Sequence, residues 1–318
     1  MDAEFLERAV ELAERGRGTT HPNPIVGAVI VRKDEVVGEG WHARAGAPHA
    51  EIGALEAAGE RARGADAYVT LEPCSHHGTT PPCTDALLEA GISRVVAGQL
   101  DPHVGHGGGL ERLRAAGVEV ELAEGELAFR CRQQIEEWRT WATQGRPFVT
   151  YKVALTLDGR VRVPGSRWVS GESSRRLVHL LRAQSDAVAV GMGTVRWDGP
   201  RLDARDVPVE RQPRRLAFGR GPLPDGSDLE LRSGPLAAEL EALASEGVQS
   251  LLLEGGPTLA AAFLEQGLVD KLLVFVAPRL SGEGPGMLAG LPRPLELSRL
   301  ESRALGEDVL LQAYVHEP

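Results

Sequence analysis

His49-Ala50-Glu51, Pro73-Cys74 and Cys83 constrain this chain more than any other feature, because they call for a fold that returns three separate segments to one point. One imidazole and two thiolates form a zinc donor set. Structural zinc sites are closed by four protein ligands, whereas catalytic ones hold three and keep a position for water. Such water titrates near neutrality instead of at ~15.7 and becomes a nucleophile. Glu51, two residues from the imidazole, stays off the metal and can move protons between that water and a departing amine. The order His-x-Glu, Pro-Cys, Cys is the signature of zinc deaminases.

The spacing departs from the short Cys-x-x-Cys form of that signature. Eight residues, Ser75 to Pro82, separate the cysteines, and Pro81-Pro82 stiffens the return to Cys83. Two blander readings stand beside the catalytic one. Cys74 and Cys83 could be buried thiols with His49 a loop histidine, or His76 or His77 could close a structural zinc as fourth ligand. Glu51 argues against the closed site, which has no use for a free carboxylate. Cys131 falls in a helical stretch and reads as core.

At 318 residues the chain exceeds one typical domain and suggests two, divided as 1–144 and 145–318. With 42% apolar and 25% charged residues it reads as soluble and globular. No run approaches the ~20 apolar residues that span a bilayer, so no membrane partner is expected. Met1 to Gly16 is acidic and amphipathic, unlike a secretory or transit segment. Three cysteines, two of them assigned to metal, leave no disulfide framework, which implies the cytoplasm. The net charge of −10 is uneven: residues 1–145 carry 14 Lys+Arg against 23 Asp+Glu, and residues 146–318 carry 21 against 22. A deaminase acting on nucleic acid needs a basic footprint, so the acidic first half favours a small-molecule substrate.

Apolar periodicity outlines an α/β pattern. Asp2 caps a first helix ending at Gly16. Ile25 to Val31 and Glu35 to Trp41 are strands of a hairpin turning at Lys33-Asp34. A helix from Pro48 to Ala58 carries His49 and Glu51 in its first turn. Ala67 to Leu71 is a strand, Thr84 to Ala90 a helix starting at Cys83, and Arg94 to Gly98 a strand. Leu110 to Ala116 is a helix and Val118 to Leu122 a strand. Gly125 to Ala142 reads as one long helix and Thr143 to Pro147 as a linker. In the second half Phe148 to Leu155, Asp186 to Val190, Ser250 to Leu253, Lys271 to Ala277 and Val309 to Val315 are strands. Glu172 to Arg182 and a stretch ending at Gln266 are helices. Arg201 to Ser233, rich in Pro, Gly and Arg, gives no assignment.

Three runs carry a specific resemblance. They are Thr19-Thr20-His21-Pro22-Asn23-Pro24-Ile25-Val26-Gly27-Ala28-Val29, His49-Ala50-Glu51, and Thr70-Leu71-Glu72-Pro73-Cys74-Ser75-His76-His77-Gly78-Thr79-Thr80-Pro81-Pro82-Cys83. Together they resemble the bifunctional riboflavin-biosynthesis deaminase/reductase family, in which the long Cys-to-Cys loop is usual. Lys152-Val153-Ala154-Leu155-Thr156-Leu157-Asp158-Gly159 and Glu254-Gly255-Gly256-Pro257-Thr258-Leu259 extend the resemblance over nearly the whole chain. It implies a cytidine-deaminase-like three-layer domain followed by a dihydrofolate-reductase-like domain. It also implies two consecutive reactions. The first removes the exocyclic amine of a diaminopyrimidinone bearing a phosphoribosylamino group, and the second is NADPH reduction of the ribose to a ribityl chain.

Residue by residue, the resemblance makes His49, Cys74 and Cys83 zinc ligands and Glu51 the proton-transfer group. Asn23 would bind substrate, with His42 and His76 as further candidates. Ala154, Trp168, Ser170, Thr194, Asp198, Gly256, Pro257, Thr258, Leu259, Ala260, Ala261 and Ala262 would contact NADPH. Ser166, Arg182, Leu202, Arg205 and Glu254 would contact substrate. It also implies a homo-oligomer, a dimer or tetramer.

Read from residues alone, Gly255-Gly256-Pro257-Thr258 between a strand and a helix has the form that offers backbone N–H groups to a pyrophosphate. No Gly-x-Gly-x-x-Gly follows a strand, so a Rossmann fold is not supported. Paired arginines such as Arg182 and Arg205 suit a phosphate. Lys152 is one of only three lysines, and as a buried cation it needs a partner or a ligand, so a salt bridge and a substrate contact stay open. Lys152 and Asp198 are both candidates to protonate the opening ribose oxygen.

Two segments depart from the family pattern. After Gln212-Pro213-Arg214-Arg215-Leu216, a strand usually ends in aspartate, but Ala217-Phe218-Gly219-Arg220 follows here. Asp101-Pro102-His103-Val104-Gly105-His106-Gly107 is shorter and richer in His and Gly than usual. A nucleoside or tRNA deaminase with a non-functional partner domain is the alternative function, and a zinc-stabilised interaction module a third.

Overall fold

The computed structural model describes residues 2–76, 81–103, 107–209 and 211–318 and forms two compact units, Met1–Gln144 and Gly145–Glu317. The first unit runs α1 (Asp2–Ala13), β1 (Gly27–Arg32), β2 (Glu35–Trp41), α2 (Ala50–Ala58), β3 (Asp66–Val69), α3 (Cys83–Ala90), β4 (Arg94–Ala97), α4 (Gly109–Ala115), β5 (Glu119–Leu122), α5 (Gly125–Gln134) and α6 (Glu136–Gln144). Its sheet has the order β2-β1-β3-β4-β5. β1 is antiparallel to β2 and β3, while β3, β4 and β5 run parallel.

Strand alternation builds three layers, because successive side chains leave opposite faces. Ala28, Ile30, Ala67, Val69, Val95 and Ala97 meet α2, α3 and α4 in one core. Val29, Val31, Tyr68 and Val96 meet α1 and Cys131 of α5 in the other. Lys33 and Asp34 take left-handed φ of 52° and 63°, the geometry of a tight hairpin turn. Gly40 on β2 lets α2 lie close: a Cβ there would fall 2.2 Å from the Ala50 carbonyl. That approach fixes the helix start that carries His49 and Glu51.

Two expectations are corrected here. The stretch from Gly125 to Ala142 is not one helix, because Ile135 leaves helical geometry at φ −121° and separates α5 from α6. The second of these extends through Gln144, so Thr143 and Gln144 are helical rather than linker. Asp2 lies inside α1, and its carboxylate accepts from Arg94 at 3.0 Å and from the Tyr68 hydroxyl instead of capping the helix.

The second unit contains β6 (Phe148–Thr156), α7 (Glu172–Gln184), β7 (Ala187–Gly191), α8 (Met192–Asp198), β8 (Arg214–Phe218), β9 (Glu230–Arg232), α9 (Leu236–Ser245), β10 (Ser250–Leu253), α10 (Pro257–Glu265), β11 (Lys271–Ala277), β12 (Ser298–Leu305) and β13 (Asp308–Tyr314). Its sheet order is β12-β13-β11-β6-β10-β7-β8-β9. The run from β11 to β9 is parallel, and β13 and β12 close the other edge antiparallel. β8 and β9 fall in the Pro/Gly/Arg-rich stretch, and α8, α9 and β12 lie where no element is expected. Helices α9 and α10 cover one face of the sheet, and α7 and α8 the other. Asp308 accepts from the Gly171 amide at 2.8 Å and from Ser174, which fixes the start of α7. No helix among the described residues is long and apolar enough to cross a membrane.

Candidate functional site

In the first unit the fold brings His49, Cys74 and Cys83 together. His49 is the extended N-cap of α2, Cys74 sits on the turn after β3, and Cys83 opens α3. Their ligand atoms lie within 4.8 Å of one another. His49 Nδ1 is 3.2 Å from Cys83 Sγ and 3.6 Å from Cys74 Sγ. A tetrahedral zinc with ordinary Zn–N and Zn–S lengths separates such atoms by about 3.6 Å, so the three donors fit that ion. No fourth His, Cys, Asp or Glu joins the group among the described residues. His77, one candidate for a closing ligand, lies outside the described residues, as do Gly78, Thr79 and Thr80.

Local electrostatics prepare thiolate and carboxyl differently. Hydrogen bonds from the Cys83 thiol, from His49 and from the Cys83 amide (3.3 Å) outweigh burial and hold Cys74 down at about 4. The same shared hydrogen bond and burial push Cys83 up. Burial pushes Glu51 up, opposed by the neighbouring His49. Glu51 is only 4% exposed in the first turn of α2. Asn23 reaches this centre through His42: its Nδ2 is 3.4 Å from His42 Nε2, and the His42 ring stands edge-on to His49 at 5.6 Å. Of the segment Asp101 to Gly107, residues Val104, Gly105 and His106 lie outside the described residues.

The second unit holds a cavity of about 860 Å³. It opens where β7 and β10 end, the place where open α/β sheets bind ligands. Lys152, Ala154, Trp168, Ser170, Arg182, Thr194, Asp198, Leu202, Arg205, Glu254, Gly256 and Pro257 line it. Glu254 is the electrostatic centre. Arg182 donates to both its oxygens, at 2.6 and 3.0 Å, and Lys152 Nζ lies 3.4 Å away. Burial would raise Glu254, but Lys152 and Arg182 outweigh it and hold the carboxyl at about 2. Lys152 is therefore salt-bridged to Glu254 and also lines the cavity.

Leu202 takes a left-handed φ of 55° while buried. The turn points the Asp203 carbonyl at Arg182 (3.1 Å) and leaves the Asp203 carboxylate to hold Arg205 at 2.7 Å. Sequence reasoning misses Asp203, because its partner is two residues away and nothing in the pattern marks it. It also misses Arg175, which donates to the Ser170 carbonyl at 2.7 Å and lies over the Trp168 ring.

The segment from Gly256 to Ala262 does not face one cavity. Gly256 caps α10 in extended geometry with Pro257 at N1, so the first-turn amides point toward the first cavity. A Cβ on Gly256 would stand 3.3 Å from Thr194 Oγ1, which shows how close the two elements come. Thr258 and Ala261 lie on α10 and Ala260 is buried in the core. Leu259 and Ala262 instead line a second cavity of about 390 Å³ with Gly219, Arg220, Arg232, Ser233 and Gly234. The departing segment Phe218-Gly219-Arg220 thus forms a wall of this cavity. Arg232 is paired with Glu246 at 2.9 Å, whereas Arg220 has no carboxylate partner among the described residues. Ser166 does not line either cavity; its hydroxyl donates to the Trp168 carbonyl at 2.8 Å on an exposed turn.

Residues 1–99 match the family described as cytidine and deoxycytidylate deaminase zinc-binding region, and residues 147–311 match the RibD C-terminal domain. The chain is 39% identical over 350 residues to riboflavin biosynthesis protein RibD of Aquifex aeolicus, covering 98% of each chain. It superposes on RibD of Acinetobacter baumannii with a TM-score of 0.86 at 35% identity, covering 98% of both. A Thermotoga maritima protein is similar at TM-score 0.85 and 33% identity over 98% of both chains. It is described as a diaminohydroxyphosphoribosylaminopyrimidine deaminase/5-amino-6-(5-phosphoribosylamino)uracil reductase.

Proposed function

The chain belongs to the RibD family of bifunctional riboflavin-biosynthesis deaminase/reductases, and from this we propose which residues of its two units carry each reaction. The observation that carries the reading is the three-donor cluster with a buried carboxylate beside it. Deamination is assigned to residues 1–144 and reduction to residues 145–318. The substrate is a small phosphoribosylated diaminopyrimidinone; the acid-rich first half argues against a nucleic acid in its place.

Zinc held by His49, Cys74 and Cys83 supplies Lewis acidity that makes water a nucleophile near neutral pH. Glu51 takes the proton the attacking water gives up and returns it to the departing amine, so water is consumed and ammonia released. Its burial keeps bulk solvent from competing for that proton. Asn23, placed by His42, orients the pyrimidine. The alternative of a nucleic-acid deaminase with an idle partner is disfavoured by the RibD match across the second half and the intact Glu254 constellation.

Bound NADPH would supply the hydride for the ribose carbon, with a proton taken up by the oxygen released as the ring opens. The residues fit that cofactor through the first turn of α10, where Thr258 is exposed, and the glycine approach at Gly256. Thr258 and Leu259 offer amides to the pyrophosphate; Ala154, Trp168, Ser170, Thr194 and Asp198 enclose the nicotinamide end. Arg182, Arg205 and Lys152 hold substrate, with Glu254 and Asp203 fixing their directions. We assign a homo-oligomeric assembly and a cytoplasmic location. The exposed Leu300 on edge strand β12 supports the first, and the need for two reduced metal-binding cysteines supports the second.

The direct test supplies the diaminopyrimidinone phosphate with and without NADPH and identifies products by mass. A gain of one unit without cofactor and two more with it is the expected result; no change in either arm would sink the reading. Lys152→Ala should lower reduction by roughly tenfold or more, the scale of one charged hydrogen bond, and leave deamination alone. Unchanged reduction would remove Lys152 from the site. Arg220→Ala should weaken NADPH binding by roughly tenfold while leaving NADH binding unchanged, since only the former carries a 2′-phosphate on its adenosine ribose for an unpaired guanidinium. Calorimetric titration of both cofactors checks this, and equal weakening of the two would count against it.

A further inference from the structure

The long interval between Cys74 and Cys83 has a structural consequence. A short Cys-x-x-Cys turn sets its sulfur separation by local backbone geometry, but a longer loop has more conformations to lose on closing and needs a brace from outside. The start of α4 is in contact with both cysteine-bearing segments. On the Cys74 side, the buried Glu72 carboxylate accepts the amides of Leu110 at 2.9 Å and Asp101 at 3.0 Å. Gly109 packs so tightly on Pro73 that a Cβ would stand 1.8 Å from its carbonyl oxygen. Ser75 Oγ donates to the Gly107 carbonyl at 3.1 Å. The helix itself is anchored by Leu110 and Leu113, buried in the core that holds Leu87 of α3.

One side chain spans the gap. Arg112 donates through one nitrogen to the Ser75 carbonyl at 3.2 Å, one residue past Cys74. Through another it pairs with the Asp85 carboxylate, two residues past Cys83. We propose that Arg112 is a positioning residue of the metal centre, holding the two sulfurs at their separation by tying the segments that follow them to α4. The proposal rests on zinc occupying the three-donor cluster. An exposed ion pair contributes little by itself. Here the planar fork joins two segments whose relative position sets the chelate, and partners outside the ligand shell commonly change metal affinity by tenfold or more.

The test measures zinc release from the full-length, zinc-loaded protein to a coloured chelator. Arg112→Gln should speed release roughly tenfold. Asp85→Asn, which keeps the arginine, should speed it by a smaller factor, and the double variant should add little to Arg112→Gln alone. Arg130→Gln breaks a pair of the same unit whose arginine is about as exposed, with Glu7 at 3.1 Å, and should leave release unchanged. NADPH-dependent reduction of the deaminated intermediate should stay at the wild-type rate in all four. Release from Arg112→Gln within twofold of wild type, or equal acceleration by Arg130→Gln, would overturn the proposal. A wild-type protein that binds no zinc would overturn the metal reading with it, a result told apart because metal analysis of the parent protein is then blank.

Discussion

Glu51→Gln is expected to lower deamination by about 10²–10⁴-fold, the usual contribution of a positioned general acid–base, with zinc content and reduction both at wild-type level. The substitution keeps the shape of the side chain, so α2 and the His49 cap stay in place. It removes the ability to carry a proton. No other carboxylate joins the donor group among the described residues, so nothing nearby takes over the role. The remaining activity then reflects metal and binding alone. The check is product mass from the diaminopyrimidinone substrate, zinc by metal analysis, and reduction of separately supplied deaminated intermediate. Loss of both activities together would contradict two separate sites. Deamination within tenfold of wild type would remove Glu51 from proton transfer.

The parts of this protein legible in its sequence are those fixed by local chemistry. His49, Cys74 and Cys83 stand out by donor type and order, although only the fold shows Nδ1 of the imidazole facing both sulfurs. The β1–β2 hairpin is legible because Lys33-Asp34 separates two apolar runs. The break at Ile135 is not, since α5 and α6 continue one apolar rhythm and no Gly or Pro marks the interruption. Helix α9 carries ordinary signals, Leu240 and Leu243 at helical spacing after Pro235, and is passed over beside an uninformative stretch. β12 gives no strand pattern because it is an edge with nearly every side chain exposed. In the second unit the decisive pair, Arg182 with Glu254, is 72 residues apart and cannot be read from spacing. Glu72 and Arg112 carry no sequence signal, because their partners, backbone groups and for Arg112 also the Asp85 carboxylate, belong to other segments.

The largest stability effect is expected at Glu254. Glu254→Ala should destabilise the second unit by about 3–5 kcal/mol, the cost of stranding buried charge when one partner of an ion pair is removed. Two cations lose their counter-ion at once: Arg182, with both bonds to the carboxylate, and Lys152, both largely buried. For a unit of this size that corresponds to a fall in melting temperature of about 10 °C or more. Reduction should vanish with it, because Arg182 and Lys152 lose their common reference. The pH dependence separates this charge effect from a packing defect. Glu254 is held at about 2 in the fold against ~4.3 in an unfolded chain. A depressed carboxyl contributes stability that is complete above the unfolded value and is lost as pH falls toward the folded one. The gap in melting temperature between wild type and Glu254→Ala should therefore be widest above pH ~5 and shrink as pH falls from there toward ~2. A gap that stays constant over that range would mean that the side chain acts by filling space, and the ion triad would lose its place at the centre of the reductase cavity. Deamination at moderate temperature serves as the internal control, since the first unit has its own core and its own metal centre.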